Sequence, residues 1–314
     1  MHWTKTFDEE RLWILLRCFL ALLVSVHGWH RLFDGTVLTF AENMQGQIFA
    51  GYFLVLVLQA MELFGSLLLA SGFFVSILSY GFAIIYTCAI YFYHSRFGWF
   101  QSGGIENGAE YAVCLVMCFL AIGLRYQPSR IFAWRSYWRP RLASSLAKQT
   151  QTRGVGIDHA LAGLKGERSV GGATKLAVLS WQLLRWTVLI LIAIHVVHRV
   201  VTGSVQDMVL LMPSFLPQPT WIAIAATILQ GLALTTIALG RHQRCAYFCL
   251  IALNVLALVF HHAQQGWIVS GSDKDGMEYV ALLTVILLLC GIDQTRLKKR
   301  VNVNPTIVVG SELV

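Results

Sequence analysis

Eight nearly continuous apolar runs dominate this 314-residue sequence and restrict what it can fold into. A helix needs about 20 mostly apolar residues to span a bilayer, so the shorter runs must borrow flanking residues. Only 13% of the residues are charged, against about 25% in a soluble domain, which disfavours buried helices of a large soluble protein. We therefore predict an all-α, polytopic membrane protein with eight transmembrane helices. The runs are Leu12–Val26, Ile48–Ala70, Phe73–Phe92, Ala109–Leu124, Leu176–Val197, Trp221–Leu239, Ala246–Val259 and Val280–Ile292.

The sequence also repeats itself at a fixed offset. The string HGWHRLFDG begins at His27 and the related string HVVHRVVTG begins at His195, so the offset is 195 − 27 = 168. A constant offset indicates a duplicated structural unit. Each unit holds four apolar runs, an even number, so both units should share one orientation and be related by a pseudo-two-fold axis along the membrane normal. The offset also joins Arg17 to Arg185, Glu62 to Gln230, Gly72 to Gly240, His94 to His262, Trp99 to Trp267, Gly108 to Gly276, Glu110 to Glu278 and Tyr111 to Tyr279.

Basic residues predict how these units are oriented. They concentrate in the segment 126–175 and in the tail 296–314, while the loops on the opposite side are poorer in lysine and arginine. Short basic loops stay in the cytoplasm. We therefore expect a first repeat over 1–125, a cytoplasmic linker over 126–175, a second repeat over 176–295, and both termini in the cytoplasm. The linker could also lie against anionic lipid. The same bias explains the net charge of +8 without a nucleic-acid partner.

Histidine, arginine and acidic residues, most of them kept at the offset, form the candidate site. His27 and His30 lie three residues apart and share a helix face. Opposite helix directions bring His94 and Glu110 to the same outer depth. Polar groups at membrane depth are costly, so their retention points to function. The catalytic candidates are His27, His30, Arg31, Glu62, His94 and Glu110, and the cofactor-binding candidates are His195, His198, Arg199, His261, His262 and Glu278.

Imidazole groups at this depth are compatible with several roles. They can be structural residues that snorkel to water. They can also exchange protons with a quinone, ligate haem b or bind another metal, because imidazole titrates near neutral pH and binds iron, copper and zinc. The sequence contains neither a CxxCH string for covalent haem nor an HExxH zinc motif. The sequence leaves these roles open.

Glu62 is the most anomalous single residue because it lies near the middle of the second apolar run. A carboxylate at the bilayer midplane costs a few kcal/mol unless it is paired, so we expect it to be neutral or to have a partner inside the bundle. Its counterpart Gln230 keeps the hydrogen-bonding shape but has no ionisable proton. Glu62 therefore either makes a structural interhelical hydrogen bond or places the chemistry in the first repeat.

Three strings resemble motifs of the DoxX family. The segment His27–Phe33, HGWHRLF, resembles the motif HGWxKLF on the first helix of that family. The segment Glu62–Gly72 resembles its ExxGGxLLxxG motif on the second helix. The glycine pair at 103–104 followed by Glu110 resembles its glycine-rich entry to the fourth helix. Most members of the family are one four-helix unit, so this chain looks like a fused pair.

The resemblance covers about 17–125 well and about 185–293 more weakly. Arg31 stands where the family usually has lysine, and Ser76 stands where it has arginine. The second repeat has Arg244 at that place, since 76 + 168 = 244. The repeats have thus diverged in complementary ways, which is compatible with one composite site between them.

The resemblance implies a redox-linked component of the bacterial inner membrane. Some relatives look like small membrane subunits of thiosulfate:quinone oxidoreductases, and others resemble membrane partners of oxidative-stress proteins. We therefore expect a membrane subunit of a quinone-linked electron-transfer oxidoreductase, associated with membrane or periplasmic redox subunits. The alternatives are a non-catalytic scaffold that recruits a redox partner and a small-solute transporter, since parallel repeats with polar midplane residues also describe carriers.

The orientation can be tested by labelling. A cysteine placed at Gln149, in a variant without the native cysteines, should be inaccessible to a membrane-impermeant thiol reagent in sealed cells and accessible after lysis, because the basic linker stays inside. Labelling of intact cells would reverse the predicted topology.

Overall fold

The computed structural model describes residues 9–46, 48–100, 108–127, 159–210, 212, 217–260, 262, 266–267 and 276–303. All regular structure in these ranges is helical, as the apolar runs predict. We call residues 9–127 the first half and residues 159–303 the second half.

The first half contains five α-helices. The third has a π-helical turn over Met61–Gly65, and a short 3₁₀ helix over His94–Phe97 follows the fourth. The helices are α1 (Glu9–Phe33), α2 (Val37–Gln45), α3 (Gly51–Ser71), α4 (Val75–Phe92) and α5 (Glu110–Arg125).

The second half contains the corresponding five helices. The first described helix of this half begins at His159, inside the segment 126–175 that the sequence assigned to a linker. Residues 159–175 include alanine, leucine and lysine, which favour a helix, but also four glycines, so helix propensity alone does not explain the extension. The helices are α6 (His159–Thr202), α7 (Val205–Leu210), α8 (Pro219–Ala238), α9 (Gln243–Phe260) and α10 (Glu278–Val303).

Six helices within the described ranges are long and apolar enough to cross a membrane, namely α1, α3, α4, α8, α9 and the part of α6 over Lys175–Thr202. The other two expected membrane helices are α5 and α10. With 16 residues, α5 is about 24 Å long, less than the ~30 Å hydrocarbon core. It is buried along most of its length, so it packs inside the protein rather than against lipid.

Backbone conformation follows the 168-residue offset even where residue identity does not. The left-handed residues before α3 and α8 are Ala50 and Gln218, with φ of 59° and 49°. Those before α4 and α9 are Phe74 and His242, with φ of 50° and 43°. Positive φ is uncommon for such residues, so the shared conformation reflects a shared turn geometry. The positive-φ glycines pair in the same way, as Gly35 with Gly203, Gly72 with Gly240, and Gly98 with Gly266.

The two halves meet through four helices, α1 and α5 from the first half and α6 and α10 from the second. α5 packs on α6, and α10 packs on α1 and α6. The indoles of Trp13 and Trp181, which are also 168 residues apart, lie 4.7 Å apart between ring centroids. The contact between the halves is therefore closely packed and includes their equivalent elements.

In each half, a glycine lies where the first two membrane-spanning helices contact each other. This glycine is on the first of the two helices in the first half and on the second of them in the second half. In the first half Gly28 on α1 faces Glu62 and Leu63 on α3, and a Cβ at residue 28 would lie 2.9 Å from the Glu62 Cβ. In the second half Val196 on α6 faces Gly231 on α8, whose added Cβ would lie 3.8 Å from Val196 Cγ1. The small residue has changed sides while the helices remain packed.

This difference predicts that a glycine-to-alanine substitution will have different effects on stability in the two halves. Gly28→Ala should lower the unfolding free energy by about 2 kcal/mol, because a Cβ would overpack the contact with α3. The matched variant Gly231→Ala should be neutral or slightly stabilising, since its Cβ makes an ordinary contact and alanine favours the helix. Thermal unfolding in detergent measures both, and equal effects would contradict the assigned packing.

Candidate functional site

A buried histidine–glutamate pair joins the two halves. His27 lies near the end of α1, and its Nε2 is 2.7 Å from Oε2 of Glu278, the first residue of α10. The carboxylate is fully buried and the imidazole is largely so. Because Glu278 begins a helix, its carboxylate also lies at the positive end of the helix dipole. We call this contact the first interface pair.

A second pair repeats the contact with the halves exchanged. Nε2 of His195, on α6, lies 2.6 Å from Oε1 of Glu110, the first residue of α5. The hydroxyl of Tyr279 donates to the same oxygen at 2.5 Å. These residues are the counterparts of the first interface pair, since 27 + 168 = 195 and 110 + 168 = 278. We call this contact the second interface pair. Each pair takes its histidine from one half and its glutamate from the other.

The two pairs belong to one buried cluster. The rings of Tyr111 and Tyr279 lie 6.0 Å apart, and Tyr111 lies 6.3 Å from the ring of His27. Oε2 of Glu110 and Oε1 of Glu278 are buried and accept no hydrogen bond from the described residues. A buried acceptor without a donor is costly, so these oxygens are suited to a ligand or a proton. The cluster is thus polar, aromatic and only partly satisfied by the protein.

A second type of contact lies within each half. Arg31 on α1 forms an ion pair with Glu62 on α3, and the Tyr86 hydroxyl donates to Glu62 Oε1 at 3.1 Å. The midplane carboxylate therefore has a partner inside the bundle. At the equivalent place in the second half, Arg199 donates to the neutral Gln230. The arginine contact is thus kept while the charge of its partner is not.

A π-helical turn lies in the half where the partner of the arginine is a charged residue. Glu62 lies in the turn over Met61–Gly65, and the Ser66 hydroxyl donates to the Glu62 carbonyl at 2.5 Å. The corresponding helix α8 is α-helical throughout. π-turns occur frequently at functional positions in helices.

The remaining candidates lie outside the interface pairs. His30 is exposed and pairs at 3.0 Å with Asp34, the residue after the end of α1, so the expectation that it shares the helix face of His27 is wrong. Three residues correspond to about 300° of helix rotation, so its side chain points about 60° away from that of His27. His198 packs on Phe100 with 4.2 Å between ring centroids. His94 lies in the 3₁₀ helix beside Tyr93. His262 is half-buried, and His261 lies outside the described residues.

Several site residues were not among the sequence candidates. Tyr111 and Tyr279 keep their identity at the offset, and that signal could have identified them. Tyr86 and Gln59 gave no such signal, because their counterparts are asparagine and threonine. The Gln59 side chain donates to the Gly28 carbonyl at 2.7 Å and accepts from Arg31 at 3.3 Å. Their role depends on helix packing, which the repeat pattern does not report.

Residues 12–95 match the family model described as DoxX, which confirms the resemblance for this part of the chain. The match extends from α1 into the 3₁₀ helix and includes His27, Arg31 and Glu62, whereas α5 and the second half lie outside it. No curated protein and no solved structure gives a significant match. Together with the six apolar helices, the match identifies the chain as an integral membrane protein in contact with the lipid bilayer.

The first interface pair should contribute strongly to stability. Replacing either His27 or Glu278 with alanine should lower the unfolding free energy by about 3 kcal/mol, because the remaining partner is left buried and unpaired. The double variant should lose much less than the sum of the two. His30→Ala, at an exposed site, should change it by less than about 0.5 kcal/mol. Thermal unfolding of these variants in detergent measures the coupling, and additive losses would show that the pair is not coupled.

Proposed function

Given the DoxX-family match over residues 12–95, we propose that this protein is a membrane subunit of a quinone-linked electron-transfer system. Its quinone site is the cluster built by the two interface pairs. The protein lies in the bacterial inner membrane with both termini in the cytoplasm, and a membrane or periplasmic redox subunit exchanges electrons with the quinone.

The observation that carries this proposal is the reciprocal pairing of histidine and glutamate between the halves. A bound quinone would supply two-electron, two-proton redox chemistry. Each interface pair can hold one proton between an imidazole and a carboxylate, so the cluster offers two equivalent proton acceptors. The unpaired oxygens of Glu110 and Glu278 can accept hydrogen bonds from hydroxyl groups of a ligand. Tyr111 and Tyr279 supply aromatic surface beside them.

The same residues fit haem b or another metal less well. A bis-histidine haem needs a free imidazole nitrogen on each of two facing helices. Nε2 of His27 and Nε2 of His195 are both engaged by carboxylates, which leaves only the Nδ1 atoms. Within the described residues, histidine, cysteine and acidic side chains form no group of three with metal-binding geometry.

We further propose that the chain is two parallel four-helix repeats with eight transmembrane helices. This is supported by the shared positive-φ turns, the reciprocal interface pairs and the equivalent arginine contacts. In this arrangement α5 and α10 are the fourth transmembrane helices of the two repeats, and they cross the membrane surrounded by other helices of the protein. Their starting glutamates then lie at one depth, opposite the ends of α1 and α6.

Quinone binding by the purified protein tests the function. Wild-type protein in detergent should bind decylubiquinone, measured by quenching of tryptophan fluorescence. His27→Ala and His195→Ala should each weaken binding by about tenfold or more, because each removes a hydrogen-bonded group from the cluster. Ser180→Ala, which removes a hydroxyl bonded only within α6, should leave the affinity unchanged.

The other outcomes separate the alternatives. A haem Soret band in the visible spectrum would replace the quinone with haem b. A colourless protein that binds no quinone but co-purifies with other subunits would be a scaffold. Uptake of a small solute by vesicles containing only this protein would indicate a transporter.

A further inference from the structure

The two interface pairs occupy equivalent positions but differ in their hydrogen bonds. In the second pair the Tyr279 hydroxyl donates to Glu110 Oε1 at 2.5 Å. The offset relates these two residues to Tyr111 and Glu278, since 279 − 168 = 111 and 110 + 168 = 278. The equivalent bond from Tyr111 to Glu278 is not made, and the Tyr111 hydroxyl has no hydrogen-bond partner among the described residues. One tyrosine therefore completes its pair, and the other does not.

The first interface pair consequently has both an unsatisfied donor and an unsatisfied acceptor. Tyr111 is only 6% exposed and Glu278 is fully buried, so neither the tyrosine hydroxyl nor Glu278 Oε1 reaches bulk water. The other carboxylate oxygen, Glu278 Oε2, is already engaged by the His27 imidazole. Buried polar atoms without partners destabilise a fold. These two atoms are therefore suited to a ligand that supplies the missing hydrogen bonds.

Packing places Tyr111 beside the first interface pair. Its ring lies 6.3 Å from the ring of His27, whose Nε2 contacts Glu278. It also lies 6.0 Å from the ring of Tyr279, with 61° between the planes. Glu278 and Tyr111 are close enough to interact electrostatically. The unsatisfied donor and the unsatisfied acceptor thus belong to one small region between the halves.

The second interface pair offers less to a ligand. Glu110 also keeps one unsatisfied oxygen, Oε2, but the hydroxyl of Tyr279 is already used on Oε1. The second pair thus presents an acceptor alone, whereas the first presents an acceptor and a donor. A hydroxyl group matches the first pair, because a single hydroxyl oxygen can accept one hydrogen bond and donate another. A carbonyl oxygen can only accept.

From these observations we propose that Tyr111 and Glu278 bind a ring hydroxyl of the ligand. Tyr111 donates to the hydroxyl oxygen, and the hydroxyl donates to Glu278 Oε1. This inference rests on the proposed function and deepens it, because it assigns the hydroquinone as the form that the site binds more tightly. A quinone carbonyl would accept from Tyr111 but leave Glu278 Oε1 unsatisfied. One ligand headgroup binds per chain, at the first interface pair.

Calorimetric titration with para-propylphenol tests the site, because this probe has one ring hydroxyl and lacks the second hydroxyl of a hydroquinone. Wild-type protein in detergent should bind one molecule per chain. Tyr111→Phe keeps the ring but should bind the probe about tenfold more weakly, since one hydrogen bond is lost. The matched control Tyr80→Phe removes a hydroxyl bonded to Gln127 and should bind it as the wild type does.

Two further ligands test the role of Glu278 as acceptor. In para-propylanisole a methyl group replaces the hydroxyl proton, so this ether cannot donate to Glu278 and should bind about tenfold more weakly than the phenol. For the same reason decylubiquinol should bind more tightly than decylubiquinone. Equal affinities within either comparison would overturn the assignment of a ligand hydroxyl to Glu278.

Thermal unfolding of the ligand-free protein separates a ligand contact from a structural one. Tyr111→Phe should keep or slightly raise the melting temperature, because it removes a buried hydroxyl that has no partner. Tyr279→Phe should lower the melting temperature by about 3 °C, because it breaks the bond to Glu110. Equal losses in the two variants would show that the Tyr111 hydroxyl has a partner within the protein, and they would overturn the proposal.

The remaining outcomes distinguish this site from the proposed function. If phenol binding depends on Tyr111 but the wild type binds neither decylubiquinone nor decylubiquinol, the hydroxyl site stands and the quinone function fails. If the quinone binds while phenol binding is insensitive to Tyr111→Phe, only the hydroxyl site fails. If none of these ligands binds, both proposals fail.

Discussion

A carboxylate withdrawn from water needs a charged or hydrogen-bonded partner, and here the two fully buried glutamates that begin α5 and α10 each find one on the opposite half. Unpaired, each would cost several kcal/mol in a medium without water. The pairing therefore holds α1 against α10 and α6 against α5. The Trp13–Trp181 contact and the neighbouring tyrosines pack around this constraint.

The same constraint explains which differences between the halves are tolerated. The glycine that lets the first two spanning helices approach has moved from α1 to α8, because only one of two facing residues has to be small. The equivalent arginines Arg31 and Arg199 have different partners, Glu62 and Gln230, because both can satisfy a guanidinium by hydrogen bonding. The interface pairs have not diverged, since a change in either member leaves a buried group unpaired.

Much of this architecture could be predicted from the sequence. The apolar runs predicted the helical class. The offset identified His27 and His195 as one pair of equivalent residues, and Glu110 and Glu278 as another. The expectation that Glu62 has a partner inside the bundle followed from the cost of a midplane charge. His30 was placed incorrectly, because residues three apart on a helix share a face only approximately, and a small rotation separates the buried ring from the exposed one.

By itself the sequence determined the helical class, the 168-residue offset between similar strings and the set of polar residues that a bilayer makes costly. Hydrophobicity and periodicity are local properties of the sequence, so they can be recognised without knowing how the helices pack. Only the tertiary structure decided that each of these histidines pairs with the glutamate of the other half, and that Tyr86 hydrogen-bonds to Glu62. Such contacts depend on how helices distant in sequence rotate and approach, and a pattern of equivalent positions carries no information about which equivalent residues meet.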